Sequence, residues 1–508
     1  MMMSEFCQRK VPYLVGVCFL LTASLIWNPN LALAQSTKGR NSLNAVQERH
    51  RERFREFSNQ IKKLADSCEE KGLNSEAEKV RERLNLTDTQ SLRVDRLPTE
   101  VRSEIPAGVV GDQRHWQTQL RKLEFDLAKD LYLQSRAALA QGYPSYAYNL
   151  VREAALHDSD HQQVRKILGF VRSGNEWVTP FAADMKKQNV WNEEFGWLPK
   201  SHVDRYLGGE RYLNGKWISA EKEKETRRDF NYAWKIRTDH YVIKTNVSLE
   251  SGIEMGKALE DFYGVFNETF AGFFHTPEQL QKLFDGSAKT VRADKPYTVH
   301  FYRTRDEYLE RLRKFFPSID QTNGVYMTND RVAHFYHDEK NNHEGTLFHE
   351  ATHQLFYESH STNRPISDKS HFWIIEGIAC YMESFQRRNG SFSLGDTNYI
   401  RFVGARRNLL EQNYYVPLQE FSGYGMTDFQ RSPEPELVKN YTQAAGLARF
   451  FMHFDKGRYR EALVKHLSQL YSGDLRTRDR TQGLDELTGV DFADLDRQYA
   501  EDARKLEE

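Results

Sequence analysis

Two histidines stand four positions apart in the stretch GTLFHEATHQLFYESH (Gly345 to His360), with a glutamate beside the first: His349, Glu350 and His353. On an α-helix, residues four apart lie about 40° from eclipsed and one turn along, so the two imidazoles can converge on one metal ion. Glu350, directed to a neighbouring face, can reach a water at such an ion without competing as a ligand, which is what metal-assisted hydrolysis requires. The stretch itself predicts a helix. Leu347, Ala351 and Leu355 form one i, i+4 row and Phe348, Thr352 and Phe356 a second, with Asn341 or Asn342 as candidate N-caps.

A tetrahedral zinc held by two histidines needs a third protein ligand beside its open position. Metzincin spacing would put a glycine at position 356 and a histidine at position 359; Phe356 and Ser359 exclude that class. The other solution is a glutamate from a second helix. HFWIIEGIACYMESF (His371 to Phe385) supplies Glu376 after 22 intervening residues. Flanked by Ile374, Ile375, Ile378 and Ala379, a carboxylate there is costly unless it is bound to metal or held in a buried salt bridge. Glu383, two turns further on the same face, either orients a ligand imidazole through its ring N–H or ends the helix in solvent.

FHEATHQL followed by Trp-x-x-Glu-Gly-x-Ala-x-Tyr-x-Glu, from Trp373 to Glu383, resembles the gluzincin pattern of the peptidase MA-like superfamily. Within it, the chain from about Trp234 onward is similar to a peptidase MA-like family of secreted bacterial proteins. The resemblance implies a zincin-like metallopeptidase domain in which His349, His353 and Glu376 bind one zinc ion per chain. It further implies that Glu350 is the general base for attack of water on a peptide carbonyl. Related aminopeptidases place a catalytic tyrosine near the start of a later helix, which in NYTQAAGLARFF falls on Tyr441 as the oxyanion donor. Those relatives carry Lys-Gly shortly afterwards where this chain has Ala444 and Ala445, so a core role for Tyr441 competes, and Tyr459, Tyr336 and neighbouring histidines are rivals. The histidines at 334, 337, 343, 360 and 371 are expected to be surface or strand residues, with a supporting role at the metal open to any of them. No Gly-x-Met-Glu-Asn segment precedes the motif, which points to an endopeptidase rather than an aminopeptidase.

The elements that must position these residues belong to an ordinary globular composition, 39% hydrophobic and 28% charged, over 508 residues. With 71 Lys plus Arg against 72 Asp plus Glu, no net field draws the chain to nucleic acid or an anionic membrane. Arg9 and Lys10 precede an apolar run from Val11 to Trp27, and Ala32-Leu33-Ala34 offers small residues for a signal peptidase. Residues 1–34 are therefore expected to be a cleaved secretory signal, an uncleaved membrane anchor being the competing reading although the run is short for a span. The mature protein is then secreted, periplasmic or held in the cell envelope. Cleavage also removes Cys7 and Cys18, and Cys68 and Cys380 are too few for a disulfide framework.

Residues 35–112 are dense in Glu, Lys and Arg with apolar residues such as Phe54, Phe57, Ile61 and Leu64 at helical spacing. Residues 113–172 read as helix, Gly142 turn, helix, polar loop at Asp158 to Asp160, and helix, resembling a degenerate tetratricopeptide pair. Through residues 173–233, GNEWVT and GKWIS predict small hairpin elements with buried Trp177 and Trp217. From Trp234 to 508 the pattern becomes strand, helix, strand, with Ser248 as an N-cap and a hairpin around Thr328, Asn329 and Asp330, and then turns mostly helical. The expected fold is α+β and helix-rich, an N-terminal helical region followed by the zincin-like domain. Two functions compete. One is a secreted zinc metallopeptidase acting on a peptide or protein substrate, its N-terminal helices offering a surface to a protein partner. The other is a non-catalytic secreted adaptor with a structural or retired zinc site, against which an intact Glu350 argues.

Overall fold

A computed structural model describes residues 29–86, 93–288, 295–340, 344–360, 366–431 and 433–506. The apolar run Val11 to Trp27 and the candidate caps Asn341 and Asn342 lie outside the described residues, as does His343. Among the described residues no helix is long and apolar enough to cross a membrane. The architecture is α+β and dominated by helices.

The charged N-terminal stretch folds as α1 (Pro29–Glu70) and α2 (Asn74–Glu82), and the next as α3 (Gly111–Ala140), α4 (Pro144–His157) and α5 (Gln162–Ile167). Gly142, at φ 87°, makes the turn between α3 and α4, a conformation glycine adopts without a Cβ penalty. Phe57 and Ile61 of α1, Leu131 of α3 and Leu150 and Val151 of α4 share one core, so the segments before and after residue 112 pack as one helical body. Glu124 is buried within this body and is held there by Arg83 and Arg102, the latter at 3.2 Å.

A short strand, β1 (Arg93–Asp95), separates α2 from α3. Three hairpins then follow in series: β2 (Val171–Ser173) with β3 (Glu176–Val178), β4 (Asn189–Asn192) with β5 (Gly196–Pro199), and β6 (Glu210–Leu213) with β7 (Lys216–Ser219). Each leads into a short helix, α6 (Pro180–Met185), α7 (Val203–Leu207) and α8 (Ala220–Arg227). Trp177, Trp197 and Trp217 occupy the same place on the three second strands, facing Arg172, Trp191 and Tyr212. The sequence echo shows only the first and third units, where Thr179 and Ser219 cap the next helix; in the second, Pro199 replaces the hydroxyl residue. Trp177 is buried as expected, but Trp217 is only half-buried, covered by the Arg205 guanidinium at 3.8 Å from its ring.

The central sheet holds β8 (Trp234–Arg237), β9 (Tyr241–Thr245), β10 (Tyr297–Tyr302), β11 (Gly324–Met327) and β12 (Val332–Tyr336) in the order β11-β12-β10-β9-β8. The inner strands β9, β10 and β12 run parallel and both edge strands antiparallel. Alternating apolar residues explain the strands, and the β11–β12 hairpin turns at Thr328 to Arg331, as the sequence predicts. Ser248 caps α9 (Leu249–Thr269) by accepting from the Ser251 N–H at 3.0 Å. This helix lies close on β8 and β9: a Cβ at Gly252 would sit 2.6 Å from Ile236 and one at Gly256 2.8 Å from Thr238. After it come α10 (Ala271–Phe274), α11 (Pro277–Asp285) and α12 (Arg305–Leu312), and then α13 (Glu344–Glu358), packed beside β11 and β12.

The remainder is α14 (Phe372–Met382), β13 (Gln386–Arg388), β14 (Ser391–Ser393), α15 (Ile400–Leu410), α16 (Leu418–Gly423), α17 (Met426–Gln430), α18 (Glu436–Gly457), α19 (Arg460–Leu470), α20 (Leu475–Asp479), α21 (Leu484–Thr488) and α22 (Phe492–Lys505). β1 adds to β14, and β14 to β13, so a strand from the N-terminal region completes a sheet of the C-terminal one. Arg96 clasps Asp261 through two hydrogen bonds of 2.8 and 2.7 Å, and Ser145 Oγ donates to Glu461 at 2.7 Å, tying the same regions together. Helix α14 crosses close on α18, where Gly377 lies against the Ala444 carbonyl and an added Cβ would meet that oxygen at 2.6 Å. Gly377→Ala is therefore expected to force the crossing open and to destabilise the fold by about 1–3 kcal/mol, read from urea unfolding. An unchanged unfolding midpoint would mean that the crossing yields without cost.

Candidate metal centre

Helix α13 turns Leu347, Phe348, Ala351 and Leu355 into the core and leaves His349, Glu350 and His353 partly open on its other side. The Nε2 atoms of His349 and His353 lie 3.1 Å apart. Helix α14 brings Glu376 to them, its Oε2 3.4 Å from His349 Nε2 and 3.8 Å from His353 Nε2. Glu376 is only 8% exposed. An ion with tetrahedral ligands at about 2.0–2.1 Å spaces those ligand atoms by about 3.3 Å, so the three edges match the face of such a polyhedron. Two imidazoles and a carboxylate converging on one spot form a donor set that suits a cation. The surroundings are acidic: burial opposes a charged His349 imidazole, but Cys380, Glu376 and Glu383 outweigh it and hold its pKa well above the ordinary value.

The orientation of His349 is fixed from behind. Its Nδ1 lies 2.8 Å from Glu383 Oε1, so Glu383 is not a solvent-exposed helix end. Arg401 on α15 grips both Glu383 oxygens at 2.6 and 2.8 Å, and the Tyr399 hydroxyl donates to Oε2 at 2.9 Å. Burial works against the charged form of Glu383, yet the hydrogen bonds from His349 and Arg401 prevail and keep its pKa at about 2. Its carboxylate therefore accepts a hydrogen bond from the Nδ1–H and turns Nε2 toward the triangle, an arrangement common behind metal-binding histidines. His349, Cys380 and Glu383 also cluster. The Glu383 oxygens are already committed to Arg401 and Tyr399, however, and burial raises the pKa of the Cys380 thiol, so the His349, His353 and Glu376 triangle is the better cation site.

Glu350 faces the edge strand β11 and accepts a hydrogen bond from the Tyr326 N–H at 2.7 Å. Burial pushes its pKa up to about 7; His349 and the Tyr326 N–H oppose the rise, while Glu376 and Glu383 add to it. The carboxylate thus stands beside the triangle without joining it, held by one oxygen.

Tyr441 lies on α18 with its ring edge-on to Phe429, centroids 5.0 Å apart. Burial and then the charges of Glu376 and Cys380 raise its pKa. Tyr471, which follows α19, is likewise buried and its pKa is raised by burial and by Glu376. The sequence rivals lie elsewhere: the Tyr459 hydroxyl donates to Gln498 at 2.7 Å, and that of Tyr336 to Asn323 at 3.0 Å. Of the other histidines, His334 is on strand β12 and His337 is exposed just beyond it. His360 packs on Phe273, and His371, partly exposed, holds the N-cap position of α14 at φ 60°, ring-to-ring with His466.

Sequence reasoning missed Cys380, Tyr399, Arg401 and Tyr471. Cys380 stands four residues after Glu376 and was findable by helical spacing; the other three come from different elements and carry no local signal. No model of a known family matches the chain, and neither a curated protein nor a solved structure matches it. Glu383→Ala should free the His349 ring and weaken metal binding about 10–100-fold, measured by competition with a chelator. Undiminished affinity would assign Glu383 to holding Arg401 alone.

Proposed function

We propose that the protein is a secreted zinc-dependent metallopeptidase of the gluzincin type, similar to the peptidase MA-like family, with one zinc ion held by His349, His353 and Glu376. The observation that carries this reading is the triangle of three ligand atoms 3.1, 3.4 and 3.8 Å apart with the Glu350 carboxylate, outside the triangle, on the same helix. A purely structural site has no use for that fourth group. Zinc in this triangle would supply a Lewis acid that polarises a peptide carbonyl and acidifies water.

Glu350 is the general base: it removes the proton of the attacking water and returns it to the leaving amine. The Tyr326 N–H holds one of its oxygens in place, and the raised pKa suits a group that must take up and release a proton near neutrality. Tyr441 is the oxyanion donor, supported by its place beside Glu376. An extended peptide is the substrate. The mixed sheet with an antiparallel edge strand beside α13 supports a zincin-like domain, and the α3–α4 hairpin supports a tetratricopeptide-like partner surface in front of it. Export by the N-terminal signal puts the protein in the cell envelope or outside the cell.

Elemental analysis of the purified protein should find one zinc per chain, lost or greatly weakened in Glu376→Ala. Glu350→Gln should keep zinc and fold while hydrolysis of a mixed peptide library falls at least 100-fold, the scale of a general-base contribution. Hydrolysis by Glu350→Gln at the wild-type rate would sink the mechanism, and stoichiometric zinc with no hydrolysis by the wild type would favour a non-catalytic adaptor.

A further inference from the structure

A cavity of about 430 Å³ opens between α1 and α4 on one side and α18 and α19 on the other, away from the metal triangle. Four cationic side chains line it, Arg51, Arg449, Lys456 and Arg460, and no carboxylate does. Arg51 is neutralised on its own helix by Glu48. The others are poorly matched. Arg449 donates through Nε to the Gly395 carbonyl at 3.0 Å and meets Asp502 only at 4.0 Å. Arg460 donates through Nε to the Met452 carbonyl at 3.1 Å, and neither it nor Lys456 forms an ion pair among the described residues. Two partly enclosed guanidiniums and an ammonium around one space are mutually repulsive unless an anion joins them.

The backbone is bent to build this wall. Helix α18 departs from helical geometry at Phe454, and Asp455, Lys456 and Gly457 follow at φ 46°, 62° and 86°. Two consecutive non-glycine residues in the left-handed region are strained, and such strain persists where the surroundings dictate it, commonly at ligand clamps. Gln47 of α1, 6% exposed, donates its Nε2 to the Lys456 carbonyl at 3.2 Å, which fixes the amide orientation and leaves Oε1 buried with no donor. Two polar pairs on the wall satisfy each other: Tyr146 with His50 at 2.8 Å, and Tyr381 with His453 at 2.8 Å. Burial, and then Arg460 and Arg449, hold the His453 pKa far below its ordinary value, so that ring contributes no charge of its own.

We propose that this cavity binds a small phosphate-type oxyanion that also carries an O–H, the oxygens meeting Arg460, Arg449 and Lys456 and the hydroxyl donating to Gln47 Oε1. Paired guanidiniums suit phosphate oxygens, and the orphaned acceptor selects an anion that retains a donor. The volume exceeds what one phosphate fills, leaving room for a hydroxylated body attached to it. No residue of the metal triangle takes part, so the site stands or falls independently of the peptidase reading.

Calorimetric titration at fixed ionic strength near pH 7.5, with inorganic phosphate, sulfate and glucose 6-phosphate as probes, tests it. Hydrogenphosphate should bind saturably at one site and at least tenfold tighter than sulfate, which has the charge but no proton to donate. Tighter binding of glucose 6-phosphate than of phosphate would identify a sugar phosphate as the source; its exclusion would identify the free ion; either supports the site. Arg460→Met should abolish binding. Lys456→Gly relieves the left-handed backbone, so it should fold at least as well as the wild type while binding severalfold more weakly. Gln47→Met should erase the preference for phosphate over sulfate. The proposal is overturned if phosphate and sulfate bind alike in the wild type, or if Arg460→Met and Lys456→Gly leave phosphate binding unchanged.

Discussion

Two imidazoles and a carboxylate converge on one point at the edge of an apolar core, a costly place for polar groups, and the fold of the C-terminal half is arranged to hold them there. His349 and His353 share one helix and so converge by helical geometry alone. Glu376 does not. It reaches the same point because α14 packs on α18 at a crossing so close that only glycine fits at position 377. Behind the triangle, Arg401 and Tyr399 keep Glu383 ionised, and Glu383 keeps His349 turned. Each layer constrains the next one inward, from a surface-accessible arginine to a buried ring nitrogen.

What was legible in the sequence follows from range. The α13 motif, the α14 glutamate, the Ser248 cap, the Gly142 turn and the β11–β12 hairpin are local patterns, and each is found where the spacing places it. The second hairpin escaped because Pro199 breaks the echo, and the half-exposure of Trp217 depends on Arg205, a residue of the preceding helix. Arg401, Tyr399 and Tyr471 are brought to the centre by tertiary packing, which no periodicity encodes. The partial exposure of His371 and its left-handed backbone likewise arise from the start of α14, not from any pattern around it.

The two halves of the molecule meet through charge as much as through apolar surface. Arg96 with Asp261, Arg152 with Glu268 at 2.9 Å, and Ser145 with Glu461 join the helical body to α9 and α19. Between these joints the basic cavity is left open, so the same interface both fastens the helical body and leaves a pocket at its seam. Tyr381, which lines that pocket, sits on α14 five residues beyond Glu376, and the seam and the metal triangle therefore share one rigid element.

The pairing of Arg93 with Ser393 and of Asp95 with Ser391 joins residues roughly three hundred positions apart. Chain order thus becomes an order in time. During synthesis the early helices emerge first and can gather their own core, yet the strand between them has no partner until most of the chain has followed. Closing so long a loop is slow, because its entropy is lost before any distant contact compensates. The outer strand beside β14 is therefore expected to be among the last pieces to lock in place, and α13 and α14, whose own contacts are nearer in sequence, to assemble before it.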